Sequence, residues 1–370
     1  MLQNRASAEA TAAYARRFPT MPSHFRAMAG LTGSSIGIGT YLGDNDERTD
    51  RSYQEAIEAA LIGGINVIDT AVNYRFQRSE RAVGRAISRL VASGQIKRGE
   101  IIVATKGGYI TFDGDVPPNP RAWFEDTYVK TGIIGRGELI EGSHCMAPRY
   151  LETMIETSRA NLGLETIDIY YLHNPEAQLP IVGRDEFNRR VRQAFELFER
   201  KVAEGKIGIY GTATWNGFRG DPRDKDYLSL QELIKIAAEV GGPEHHFKVI
   251  QLPYNLAMPE ALTHSNQAIP GGQGSILDAA MRMGVAVWAS ASLLQGRLAH
   301  NLPEILGTAM EGLATDAQRA LQFVRSTPGV EVALVGMKSA AHVRENLEVA
   351  KRTPASEEAF AKLFNPHNEQ

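Results

Sequence analysis

Eight short, almost wholly apolar runs rich in β-branched residues recur along this chain, each followed by an amphipathic stretch, and that alternation restricts the fold more than any other feature. The runs lie at 35–40, 65–70, 101–105, 167–172, 207–211, 249–252, 285–289 and 332–335. Most are apolar throughout, as parallel strands covered on both sides should be. The intervening stretches carry apolar residues at three- and four-residue spacing, as in Ala82, Val83, Ala86, Ile87 and Leu90, or Val191, Ala194, Phe195, Phe198 and Val202. Such a stripe needs one side packed against a sheet. Strand–helix alternation repeated eight times predicts a single α/β domain, a closed (β/α)8 barrel. A doubly wound sheet would call for a G-x-G-x-x-G turn after the first strand, and "GIGTYLG" is too loosely spaced to supply it.

A barrel of this kind takes about 250 residues, so the 370 present leave a surplus that must lie in extensions and insertions. The barrel is expected over 25–352, preceded by an N-terminal extension at 1–24 that reads as a short extra helix and followed by a short polar tail at 353–370. The largest insertion, 107–147, separates the third strand from its helix, and a second long connection runs over 253–274. Both exceed the roughly two to six residues usual for such a connection, and both fall on the face where barrel active sites lie. They are expected to form pocket walls or lids, the first rather than the C-terminus gating the pocket, with Trp123, Phe124 and Tyr128 serving either as substrate contacts or as the loop's own small core.

Forty basic against 43 acidic residues give a net charge of −3, which provides no electrostatic footprint for nucleic acid or an anionic membrane. No run approaches the roughly 20 apolar residues needed to cross a bilayer. Cys145 is the single cysteine; it permits no intrachain disulfide and no cysteine-based zinc site, is expected to be inert, and points to a reducing, cytoplasmic home. Oligomeric state is not readable from the chain.

Polar side chains stand at the C-terminal ends of three successive runs: Asp69 and Tyr74 in "INVIDTAVNY", Lys106 in "IIVATK" and His173 in "IDIYYLH". An unpaired ion beside such stretches would cost several kcal/mol, which makes an Asp69–Lys106 pair the economical arrangement. A cation beside Tyr74 is expected to lower a phenol pKa that is otherwise about 10, letting it donate a proton near neutral pH.

The stretches "GIGTY", "GINVIDTAVNY", "RSERAVGRAI", "VATK", "YYLHNPE", "KIGIYGTATW", "VIQLPYN" and "ALVGMKSAAHVREN" together resemble the aldo/keto reductases. The likeness covers nearly the whole chain. It implies reversible, NAD(P)H-dependent reduction of an aldehyde or ketone, without a metal, in which Tyr74 is the general acid, the Asp69–Lys106 pair tunes it and His173 orients the carbonyl oxygen. For the cofactor it implies Gln251 and Thr214 at the nicotinamide carboxamide, Thr40 beside the ribose, Leu293, Gln295 and Gly296 along the pyrophosphate, and Gly336 at a close backbone approach. Lys338 and His342 would meet the 2′-phosphate, Glu345 and Asn346 the adenine edge, and Tyr41 the substrate. The fixed charge of Lys338 favours NADP(H) over NAD(H). Four positions depart from the family pattern: Ala213 replaces a serine, Thr214 an asparagine or arginine, His342 an arginine or glutamine, and Ser290 an aromatic that stacks on the nicotinamide, so another aromatic is expected to cover the ring. Two other readings share these residues. One is a nicotinamide-binding sensor with little turnover; the other is a barrel aldolase or isomerase with a Schiff base on Lys106.

Overall fold

The computed structural model describes residues 1–356, 358, 360, 363 and 364; residues 357, 359, 361, 362 and 365–370, part of the expected tail, lie outside the described residues. Eight parallel strands close into a barrel in chain order: β1 (Ile36–Gly39), β2 (Val67–Asp69), β3 (Ile102–Gly107), β4 (Ile167–His173), β5 (Ile207–Ala213), β6 (Phe247–Pro253), β7 (Ala286–Ser290) and β8 (Val332–Gly336), with β8 paired back onto β1. Each coincides with one apolar run of the sequence. Around them lie α1 (Glu47–Gly63), α2 (Arg78–Ala92), α3 (Pro148–Leu162), α4 (Arg184–Ala203), α5 (Leu230–Gly241), α6 (Ile276–Arg282), α7 (Asp316–Ser326) and α8 (Ala340–Ala350).

The helices begin and end where local chemistry dictates. Asp46 caps α1 by accepting from Thr49 N at 2.7 Å, and the helix stops at Gly64, whose φ of 114° suits a residue without Cβ. Val83, Ala86, Ile87 and Leu90 of α2 and Val191, Ala194, Phe195 and Phe198 of α4 are buried against the outer sheet face in one large core. A second core fills the barrel interior with Val67, Ile102, Ile169, Tyr171, Val249, Trp288 and Leu334.

The bottom of the barrel is closed by sequence upstream of β1. The expected extra helix is present at Ala8–Ala15, and a hairpin the sequence did not announce, Phe25–Met28 with Leu31–Ser34, follows it. Met28 and Ala6 join the interior core, Ala6 N donates to Asp168 at 2.7 Å, and Asp168 pairs with Arg98 at 2.7 Å. The end of the barrel opposite the strand C-termini is thereby filled. Among the described residues no helix is long and apolar enough to cross a membrane.

The first long connection follows one of the two readings offered for its aromatic residues, and the second departs from expectation. In 107–147, Trp123, Phe124, Tyr128, Ile134 and Cys145 pack with Val72, Tyr150 and Met154 into a separate small core, with the Trp123 and Tyr128 rings 5.5 Å apart. They are the loop's own core, and Tyr109 alone of the insertion lines the central cavity. The 253–274 connection contributes nothing to the cavity wall. Its amides instead satisfy the neighbouring β5–α5 connection: Asn266 Nδ2 donates to the carbonyls of Phe218 and Gly220, and Gln267 bonds Leu230 N and Leu228 O. Buried backbone groups demand partners, and these side chains supply them.

Candidate functional site

The strand register gathers the polar residues onto one floor. Asp69 ends β2, Lys106 lies one residue from the end of β3, and His173 ends β4 beside Ala213 of β5, which in turn pairs with Gln251 of β6. Tyr74 stands beyond β2 in a tight turn in which Arg75, Phe76 and Gln77 all take left-handed φ values of 50°, 51° and 71°. Such conformations are costly for non-glycine residues, and the surroundings hold them: the buried Arg75 guanidinium pairs with Asp50 at 2.7 Å and donates to Asp44 O, and Gln77 donates to Phe112 O.

Lys106 is wholly buried and bonded on three sides, to Asp69 Oδ2 at 2.7 Å, Thr70 O at 2.8 Å and the Tyr74 hydroxyl at 3.3 Å. The expected ion pair is therefore present and touches the phenol. The expected electrostatic effect is reversed. Burial, the Asp69 charge and the neighbouring Tyr41 and Tyr109 raise the Tyr74 pKa well above 10, because Asp69 neutralises Lys106 and leaves desolvation of the phenolate as the larger effect. Tyr74 thus remains a protonated donor at neutral pH. Burial, then Lys106 and His144, push the His173 pKa well below 6.5, so its imidazole is neutral.

These groups form the floor of a cavity of about 1150 Å³. Its wall includes Thr40, Tyr41, Thr214, Gln251, Ser290, Leu293, Gln295 and Gly296 and continues to Gly336, Lys338, His342, Glu345 and Asn346. The catalytic and cofactor candidates named from the sequence, with Tyr41, all line it except Lys106, which is wholly buried, whereas Trp123, Phe124 and Tyr128 do not. Gln251 Nε2 donates to Asp69 Oδ1 at 2.7 Å, leaving its amide oxygen free to receive a donor. At the far end Ser339 caps α8 through His342 N at 3.3 Å, and the remaining first-turn N–H groups lie next to the exposed Lys338, an arrangement suited to an anion. A Cβ on Gly336 would meet nothing within 4 Å, so the backbone there is open to a close-lying group. Glu345 Oε1 accepts from Thr315 Oγ1 at 2.8 Å. The cavity carries hydroxyls and amides near the quartet and, among Asp316, Arg319 and Glu345, the Lys338 ammonium beside the start of α8, and this donor set fits a nicotinamide dinucleotide.

Sequence reasoning missed several wall residues. Trp215, 43% exposed, and Tyr109 rise two residues beyond the ends of β5 and β3. Their positions just past strand C-termini were the available signal. Thr315, Asp316 and Arg319 come from the start of α7 and carried none. At Ser290 no aromatic is present; Tyr41 and Trp215 are the exposed rings of the wall.

Fold and site together define a barrel with a Tyr–Lys–Asp–His cluster at its mouth. The family model "Aldo/keto reductase family" matches residues 35–219, and the chain belongs to that family. It is 26% identical over 344 residues, 91% of this chain and 93% of the other, to an uncharacterized oxidoreductase, YqkF, of Bacillus subtilis. It is 23% identical, across 93% of this chain and 94% of the other, to a putative voltage-gated potassium channel subunit beta of Schizosaccharomyces pombe. An aldo/keto reductase structure from Klebsiella pneumoniae in complex with NADP and acetate superposes with a TM-score of 0.62 at 21% identity, covering 91% of this chain and 93% of that one.

Proposed function

We propose that this protein reduces a small-molecule aldehyde or ketone with NADP(H), reversibly, with Tyr74 as the general acid. The observation that carries the reading is the Tyr74 hydroxyl held 3.3 Å from a Lys106 ammonium that is itself paired to Asp69, on the floor of a cavity of about 1150 Å³. A bound reduced nicotinamide would supply a hydride. The protein's part is to receive the charge that grows on oxygen as the carbonyl carbon is attacked: Tyr74 transfers its proton to that oxygen, and the neutral His173 donates a hydrogen bond to it. Lys106 then faces a developing phenolate, which its charge stabilises. Gln251 and Thr214 would hold the carboxamide, Leu293, Gln295, Gly296 and Gly336 the pyrophosphate, and Lys338 with His342 the 2′-phosphate. The NADP complex of the Klebsiella relative supports that cofactor. Tyr41, Tyr109, Trp215 and Asn174 ring the mouth and would meet the substrate, and the buried thiol of Cys145 accords with a cytoplasmic setting.

Full burial of Lys106 in three hydrogen bonds argues against Schiff-base chemistry there, since the amine is neither free nor reachable. A sensor reading keeps a foothold in the likeness to the potassium channel subunit. The two separate in one experiment. Purified protein is given NADPH and a broad panel of aldehydes, ketones and hydroxyaldehydes, and loss of NADPH absorbance is followed. Turnover supports the reductase; tight NADPH binding with none across the panel supports the sensor.

A further inference from the structure

The insertion after β3 meets the site at Tyr109, which lines the cavity, and also at the main chain of His173. His144, fully buried on the insertion's second short strand (His144–Cys145), lies with Nε2 2.7 Å from the carbonyl oxygen of His173 and Nδ1 2.9 Å from Gln178 Nε2. The roles in this chain are set by its outer end. Arg190 Nη1, which can only donate, is 2.8 Å from Gln178 Oε1, so the Gln178 amide presents its NH2 to His144. That NH2 also only donates, so His144 Nδ1 accepts and the ring proton is on Nε2, directed at the His173 carbonyl. Arg190 is held in turn by Glu186 at 2.7 Å and by the insertion's own Gly137 O at 3.0 Å.

The contact is tight. Gly108 has φ +150°, and a Cβ there would sit 2.8 Å from His173 O and 2.9 Å from His144 Nε2. Tyr109 stands edge-on between the two imidazoles, its ring 5.0 Å from that of His144 and 5.1 Å from that of His173, while Asn174 Nδ2 donates to its hydroxyl at 3.1 Å.

We infer that the insertion is a buttress for the carbonyl-orienting histidine, and that His144 is its positioning residue, fixing the His173 main chain through a tautomer locked by Gln178 and Arg190. This rests on the reductase reading of the site. An orienting donor displaced by about 1 Å costs on the order of 10²-fold in rate, while ground-state binding through other residues is little changed. His144→Leu should therefore lower kcat by about ten- to a hundredfold, with KM for the carbonyl substrate and Kd for NADPH held within about twofold. His144→Gln, which keeps an N–H donor, should recover most of the loss.

Nitrogen NMR of the imidazoles in the intact wild-type protein reads the geometry without any substrate: His144 should show the Nε2–H tautomer alone. An Nδ1–H tautomer overturns the lock. A wild type without turnover on the panel sinks the reductase reading and the positioning role with it. A wild type that turns over beside an equally active His144→Leu sinks only the role of His144. If His144→Leu does not fold, Gln178→Met carries the test: the ring loses its lock, and kcat should fall with NADPH affinity kept. Unchanged kcat in a Gln178→Met protein whose ring has switched tautomer overturns the proposal.

Discussion

Lys106 has no exposed surface, and its ammonium is the ion paired with Asp69. Removing one member of a buried, bonded ion pair costs about 3–5 kcal/mol, because the other charge is left without compensation. Lys106→Met should therefore lower the unfolding free energy by about that amount, measured by urea denaturation, as well as abolish turnover. Asp69→Asn should leave the ammonium unpaired and deepen the downward pKa displacement that burial already imposes on Lys106. Tyr74→Phe is gentler on the fold, since the phenol is partly open to the cavity. It should reduce kcat by about 10²- to 10⁴-fold, the usual contribution of a general acid, with NADPH affinity unchanged by fluorescence titration. Because the pKa of Tyr74 is raised and that of His173 lowered, neither titrates near neutrality, and the reduction rate should be flat between about pH 6 and 8. A bell centred near 6.5 would contradict this assignment.

At the level of elements, most of the insertion serves the site from behind its wall, to which it contributes Tyr109 alone. Tyr128 is buried among Trp123, Phe124 and Tyr150 and donates to Thr111 O at 3.2 Å. Tyr128→Ala should cost about 3–5 kcal/mol of stability, as large-to-small core changes do, while KM for the substrate stays near wild type. A variant stable as wild type with a raised KM would reverse that reading. Trp215 is the opposite case: 43% exposed at the mouth, its loss should change KM and leave the melting temperature within a few degrees.

The whole molecule carries buried titratable groups that pull stability in opposite directions with pH. Burial raises the Glu176 carboxyl from 4.5 to about 7, while its Oε1 accepts from Trp215 N and Asn216 N. A raised folded pKa means the folded chain keeps a proton that the unfolded chain releases. The stabilisation is fully present below pH 4.5 and is lost as pH rises through 7, on the order of 3 kcal/mol. His24 and His144 are displaced from 6.5 to about 3 and about 4 by burial. Their contribution is present above pH 6.5 and is lost as pH falls through those values. Between pH 4.5 and 6.5 the effects oppose, so the wild type should show a shallow profile in urea unfolding. Glu176→Gln keeps the acceptor oxygen and removes the titration; its stability should climb more steeply over that window. Parallel profiles would show that Glu176 does not titrate there.

What was legible in the chain was whatever local periodicity or strand-end placement could carry. The eight strands, the flanking stripes and the positions of Asp69, Lys106 and His173 follow from runs of β-branched residues and from where those runs stop, because burial on two faces leaves no freedom in composition. The same signal would have found Tyr109 and Trp215. Three things were decided by tertiary structure alone. The sign of the Tyr74 pKa displacement depends on how completely Asp69 cancels Lys106 and how deeply the phenol is desolvated, neither of which is a property of spacing. The role of 107–147 depends on whether its aromatic residues face the cavity or one another, and Trp123, Phe124 and Tyr128 pack on one another, out of water. The contact of His144 with the His173 carbonyl joins residues 29 apart through a glycine whose lack of a side chain acquires meaning only when the two backbones meet.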